Sequence, residues 1–170
     1  MKKILIAGVL LALGSAASAA ELSFNNVEIG YGYADFDCDT NCDYVGLGAG
    51  FEVGEHFIVG VGGAISDGND SVGGSFGGRW NVAETTALYA TVGATHSDFG
   101  TDGTVGVGVK SMLSDSFELD FGVSHIFVPG GATGADVTGT YFFNDTTGVS
   151  VSLNGGEGAF GGGLGLRFNF

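Results

Sequence analysis

Hydrophobic side chains alternate with small or polar residues through most of the chain beyond residue 26. Between residues 45 and 53, for example, Val45, Leu47, Phe51 and Val53 are separated by glycine, alanine or glutamate. A period of two is typical of a β-strand that presents one apolar face. We count ten such segments. The pattern therefore predicts an all-β protein of about ten strands, with eight as the alternative.

The connectors between these segments are of two kinds. Short polar turns fall at residues 54–56, 83–85, 114–116 and 145–147. Connectors that are longer and richer in Gly and Asp fall at residues 35–43, 67–70, 97–103, 128–135 and 154–159. Short periplasmic turns and longer extracellular loops are typical of outer-membrane β-barrels. We therefore predict a closed antiparallel transmembrane barrel.

The two faces of the predicted strands indicate which one meets lipid. The non-apolar face consists mostly of Gly, Ala, Ser and Thr, which suits a crowded barrel interior better than a water-facing surface. Aromatic residues gather at both ends of the segments, as at membrane interfaces. Those beside short turns are Phe57, Trp80, Phe117, Phe143 and Phe170, and those near long loops are Tyr31, Tyr33, Tyr44, Phe127 and Phe160. The apolar face is predicted to point outward. A soluble β-sandwich is the alternative.

Composition narrows the class further. Glycine accounts for 34 of 170 residues and proline for 1, and the mean hydropathy is +0.32. The apolar fraction of 44% disfavours a disordered chain. Nineteen Asp and Glu stand against five Lys and Arg, a formal net charge of −14. Because nucleic-acid binding needs basic residues against phosphate, we expect no nucleic-acid partner.

The first twenty residues resemble a secretory leader. Lys2 and Lys3 precede an apolar stretch at residues 4–13, and small residues follow at Ala17 and Ala19. This arrangement predicts a signal peptide over residues 1–20 and a barrel domain over residues 21–170. The expected location is the bacterial outer membrane, after export.

The last strand carries a feature of its own. Leu164, Leu166, Phe168 and Phe170 alternate up to the final residue. A last strand that ends in phenylalanine resembles the signal by which such barrels are recognised for assembly. We therefore expect the barrel assembly machinery, outer-membrane lipids and lipopolysaccharide as partners, and a monomer.

Most charged residues within the strands alternate with the outward apolar residues, so they have the parity of the inward face. Most of them lie near the short turns. This predicted charged belt consists of Glu28, Glu52, Arg79, Lys110, Glu118, Asp120 and Arg167. It is either a selectivity ring or proton path, or a structural network that pairs enclosed charges. We favour the structural network.

The first long connector contains two cysteines, Cys38 and Cys42. A hairpin folded about Thr40 places them opposite each other, and it places Tyr33 opposite Leu47. Directly opposed Cβ atoms lie about 4.5–5.5 Å apart, near the reach of a disulfide. We predict a disulfide that pins this loop.

The same connector is acidic. Asp37, Asp39 and Asp43 resemble the start of an EF-hand loop, but Cys42 stands where glycine is needed and Gly48 where glutamate is needed. We expect at most a weak surface Ca²⁺ or Mg²⁺ site, and otherwise no cofactor. The three histidines match no catalytic pattern that we recognise, so no enzymatic activity is predicted.

The chain also resembles a known family. Residues 22–28, followed by Gly30 and Tyr31, look like the mature start of a group of small, ten-segment bacterial outer-membrane barrels once described as plant-immunity activators and as quorum-sensing related. The likeness continues through the turns at residues 53–57, 114–119 and 141–144. The high glycine content and the acidic first loop depart from it. The resemblance implies a surface barrel with no catalytic residue; eight-stranded barrels of the OmpX and opacity type are the runner-up.

These observations predict a structural or surface-interaction role, in envelope integrity, cation or lipopolysaccharide contact, or recognition. The alternative is a narrow pore for ions or small solutes through the barrel lumen.

Overall fold

The structure is a computed structural model that describes residues 17–18, 21–22, 24–35, 43–66, 70–98, 100–127, 131–157 and 159–170. Within these residues, ten antiparallel strands close into one barrel, as predicted, and the eight-strand alternative is wrong. The barrel strands are β1 (Asn26–Asp35), β2 (Asp43–Val53), β3 (Phe57–Ser66), β4 (Ser71–Ala83), β5 (Thr86–Ser97), β6 (Gly100–Ser114), β7 (Phe117–Phe127), β8 (Ala132–Asn144), β9 (Thr147–Gly156) and β10 (Ala159–Asn169).

Each barrel strand pairs with its neighbours in sequence, and β10 pairs with β1 to close the sheet. The closing ladder runs from Phe160 opposite Asp35 to Asn169 opposite Asn26. Among the described residues, two further short strands, Ala17–Ser18 and Glu21–Leu22, pair with each other and not with the barrel. Strands of 10 to 15 residues are long enough to cross a bilayer, because a tilted strand needs about 9–11.

The barrel is inside out relative to a soluble protein. Large apolar side chains such as Val92 and Leu164 are exposed on the outer face, while polar side chains such as Lys110 and Thr140 are buried inside. The structure therefore confirms which face of each strand points outward. The described residues contain no helix that is long and apolar enough to span a membrane.

Two of the ten predicted interface aromatics are not exposed on the outer face. Tyr44 points inward, and its ring lies where a Cβ atom on Gly32 would be. Phe117 does point outward, but it is half-buried because its ring covers Gly139. In both cases an aromatic ring fills the space that a glycine leaves on the neighbouring strand.

Two of the predicted long loops are mostly strand. β5 ends at Ser97 and β6 begins at Gly100, so Thr101 and Asp102 lie in the ladder, opposite His96 and Thr95. The connector predicted at residues 154–159 is shortened in the same way, because β9 extends to residue 156 and β10 begins at residue 159. The local sequence, rich in Gly, Thr and Asp, favours turns. In the barrel these residues are in strands instead, because their backbone groups form hydrogen bonds with the neighbouring strand.

The predicted register of the first hairpin is also wrong. Tyr33 lies opposite Asp43, not Leu47, and Leu47 lies opposite Ile29. A period of two determines which side chains of a strand point outward. It does not determine the register, because sliding a strand by an even number of residues leaves the same side chains outward. The observed register matches the large Tyr44 with Gly32. Cys38 and Cys42 lie outside the described residues, so the disulfide stays a prediction.

Candidate functional site

The barrel interior has two unlike walls. At their inward positions the strands β10, β1, β2 and β3 carry Glu28, Glu52 and Arg167 near the short turns, and ten glycines. These glycines are Gly30, Gly32, Gly46, Gly48, Gly50, Gly60, Gly62, Gly161, Gly163 and Gly165. The strands β5 to β8 present large inward side chains, namely Tyr89, Lys110, Met112, Glu118, Asp120, Thr140 and Phe142. Beyond the charged residues near the short turns, the large side chains of β5 to β8 therefore have room beside a glycine-rich wall.

Five of the seven predicted belt residues form one chain of ion pairs in the lumen. Lys110 Nζ lies 3.1 Å from Asp120 Oδ2 and 4.0 Å from Glu118 Oε1. Arg167 Nη1 lies 2.9 Å from the same Glu118 oxygen, and Arg167 Nε lies 3.3 Å from Glu28 Oε2. The side chains of Lys110, Glu118 and Arg167 are 0%, 1% and 1% exposed. The charges are thus enclosed, and each has an opposite charge as neighbour.

Neutral groups complete this network. Tyr89 Oη donates a hydrogen bond of 2.8 Å to Asp120 Oδ1, and Arg167 Nη1 donates one of 3.1 Å to Thr140 Oγ1. The Ser150 hydroxyl donates to the Glu28 carboxylate. An enclosed ion pair is stable only when its remaining donors and acceptors are also satisfied, and these groups meet part of that requirement.

The other two belt residues, Glu52 and Arg79, form a separate pair that holds the segment preceding β1. Arg79 Nη1 lies 3.2 Å from Glu52 Oε1 and donates a hydrogen bond of 2.9 Å to the backbone oxygen of Leu22. The Phe24 N–H donates to Glu52 Oε1 at 2.5 Å, and the Glu52 N–H donates to Asn25 Oδ1 at 2.8 Å. The segment is therefore tied to the barrel wall by charged side chains.

Phe24 lies inside the lumen and is only 3% exposed. Its ring meets Tyr89 edge-on, with the centroids 6.0 Å apart. Lys110 Nζ lies 4.5 Å from the ring centroid and Arg79 Cζ lies 5.6 Å from it, both within cation–π range. Leu22 is buried beside it, and the apolar cluster around both also contains Ile58, Ala87, Tyr89, Met112 and Phe142.

The position of Leu22 and Phe24 in the lumen was not predicted from the sequence. Both have the same parity as Asn26 and Glu28, which point inward on β1, and the opposite parity to Val27, which points outward. An apolar pair that continues the inward parity of the first strand was the signal that could have located them in the lumen.

The remaining predicted sites fall in three places. Asp37 and Asp39 lie outside the described residues, and Asp43 begins β2 opposite Tyr33. Within the described part of the chain, no three His, Cys, Asp or Glu residues lie close enough to hold a metal ion. The four predicted assembly residues are all exposed on the outer face of the last strand or at its end: Leu164, Leu166, Phe168 and Phe170.

Comparisons with known proteins identify the fold. No family model and no curated protein matches this sequence. The structure is similar to the NanC porin (TM-score 0.60, 7% identity, 85% of this chain and 100% of that one) and to the KdgM porin (TM-score 0.58, 7% identity, 84% and 99%). It is also similar to an outer-membrane channel of Pseudomonas putida F1 (TM-score 0.53, 10% identity, 92% and 97%).

At these identities the likeness shows the fold alone. The chain is therefore a closed ten-stranded barrel of the outer-membrane type. The specific family suggested by its sequence motifs stays a prediction.

Proposed function

We propose that this protein is a small outer-membrane barrel that closes its own lumen near the short turns and has a structural or surface-interaction role. One observation carries the proposal: Lys110, Glu118 and Arg167 lie in the lumen with side chains at most 1% exposed. Since water has almost no access to these side chains, they leave no room beside them for a hydrated ion.

The outer face supports the membrane location. Its large apolar side chains are exposed, as lipid contact requires, and burying them in a water-soluble form would need a partner of comparable area. The porins and the channel that share this fold are outer-membrane or porin proteins by their own descriptions. Lipopolysaccharide, surrounding lipid and, through the last strand, the assembly machinery are the partners that we propose. We propose no catalytic role.

A narrow pore is the second candidate. It is favoured by the porin descriptions of two structures that share the fold. It is also favoured by the fact that part of the blockage, Leu22 and Phe24, comes from a segment outside the barrel wall.

Fractionation and liposome swelling test the proposal together. We expect the exported protein in the outer-membrane fraction, with a folded form that migrates differently from the boiled form on a gel. We expect liposomes that contain the folded protein to swell in sugar solutions no faster than empty liposomes. A soluble periplasmic product would overturn the membrane assignment, and rapid swelling would overturn the closed lumen in favour of the pore.

A further inference from the structure

We infer that Leu22, Phe24 and Asn25 form a removable plug, hereafter the N-terminal plug, and that the barrel behind it is a latent cation-selective pore. This inference rests on the proposed closed barrel and names the segment that completes the closure.

The N-terminal plug is not part of the barrel wall. The closing ladder between β10 and β1 begins at Asn26, opposite Asn169. The plug is held mainly by side chains of the wall, through Arg79 on the Leu22 oxygen and Glu52 on the Phe24 N–H. A long backbone hydrogen bond of 3.4 Å also joins the Phe170 N–H to the Asn25 oxygen, and the Glu52 N–H donates to Asn25 Oδ1. The plug can therefore leave without breaking any ladder of the barrel.

The Phe24 ring occupies the part of the lumen between the two cationic groups. It lies against Lys110, Arg79 and Tyr89 at the distances given above. On the glycine-rich wall, Glu28 and Arg167 are already held in ion pairs, and the next inward positions along their strands are Gly30 and Gly165. Loss of the plug side chains therefore opens a space lined by charged groups, and that space admits water and ions.

The charges that line the lumen favour cations. At the inward positions of the described strands, six carboxylates stand against three basic groups. The acidic residues are Glu28, Glu52, Asp102, Glu118, Asp120 and Asp136, and the basic residues are Arg79, Lys110 and Arg167.

Asp136 is, with Asp102, one of the two acidic inward residues that lie beyond the belt. It is half-buried, and its carboxylate lies over the backbone of Gly122 on the neighbouring strand. On the inward face of β8, Asp136 is the neighbour of Thr138, and Thr138 lies opposite Asp120 on β7. Its position continues the acidic lining from the belt toward the loops, and an excess of carboxylates selects cations in a narrow pore.

A matched pair of variants tests the inference by single-channel recording in planar bilayers. The plug variant is Leu22→Ala/Phe24→Ala. The control is Leu153→Ala/Phe160→Ala, which removes the same two side chains from the lipid-facing surface, where they are 47% and 61% exposed. We expect discrete unitary current steps from the plug variant and none from the control or the wild-type protein. In a KCl gradient, we expect the reversal potential of the plug variant to shift toward the equilibrium potential of K⁺.

The outcomes separate this inference from the proposed function. A plug variant that is folded, by its gel shift, and remains silent overturns the plug while leaving the closed barrel intact. Unitary current from the wild-type protein overturns the closed barrel itself. A reversal potential toward that of Cl⁻ overturns the cation-selective lining. If the double variant does not fold, Phe24→Ala alone is expected to give the same steps with briefer openings, and silence from its folded form overturns the plug.

Discussion

The two ends of the lumen are built differently. Toward the short turns, the interior holds an ion-paired network and an aromatic cluster around Phe24. Toward the loops, the inward positions hold small hydroxyl side chains such as Ser71, Thr95 and Thr104, together with Tyr44, Asp102 and Asp136. Large charged side chains depend on exact partners, whereas small hydroxyls beside glycine do not. We therefore expect substitutions at the turn end to cost far more stability than substitutions at the loop end.

The largest effect is expected from Arg167→Ala. The change leaves Glu118 and Glu28 without their shared cation, and removal of one partner of an enclosed ion pair costs about 3–5 kcal/mol. Urea unfolding of the lipid-reconstituted protein, followed by tryptophan fluorescence, measures this. Arg167→Lys keeps the charge and is the control. An unfolding midpoint equal to that of the wild type would show that the network does not stabilise the barrel.

A smaller loss is expected from Gly108→Ala. The Tyr89 ring lies where the new methyl group would be, and the backbone oxygen of Phe121 lies 2.7 Å from that position. Overpacking of this kind costs about 1–3 kcal/mol. The matched control is Gly46→Ala on the glycine wall, where the nearest atom lies at an ordinary 3.7 Å. Equal unfolding free energies for the two variants would contradict the close fit at Gly108.

Tyr89→Phe removes one donor from the network and keeps the ring against Phe24. The lost bond is the one from Tyr89 Oη to Asp120 Oδ1, and a hydrogen bond to a charged group contributes about 1.5–3 kcal/mol. Tyr141→Phe, on the lipid-facing surface, is the control. A double-mutant cycle with Asp120→Asn separates this bond from the rest of the network, and a coupling energy near zero would count against it.

The smallest effect is expected at the loop end. The Ser71 hydroxyl is buried and has no hydrogen-bond partner among the described residues, so Ser71→Ala removes a polar group that gains nothing from burial. We expect the unfolding free energy to change by less than about 0.5 kcal/mol, or to rise. A loss comparable to that of Tyr89→Phe would remove the contrast between the two ends.

Local sequence pattern was enough to predict the faces of the strands but not their alignment. Alternation identifies the outward face of each strand, because each side chain on that face meets lipid whatever its neighbours are. The parity of Lys110 and Arg167 placed them inside for the same reason. The pairing of Tyr33 with Asp43 depends on how Tyr44 fits over Gly32, which is a contact between strands and has no local signal.

The burial of Leu22 and Phe24 was not predicted for a related reason, although their parity continues the inward face of β1. Leu22 and Phe24 precede β1, and their burial depends on Tyr89, Met112 and Phe142 from other strands. The loop at residues 97–103 was mispredicted because Thr101 and Asp102 are ordered by pairing with β5, not by their own preference.

Single-channel recording of the folded wild-type protein tests the central claim most directly. The enclosed network and the Phe24 ring predict no unitary current at any voltage that the bilayer withstands, under conditions in which a known porin conducts. Stable unitary steps from the wild-type protein would contradict the closed lumen.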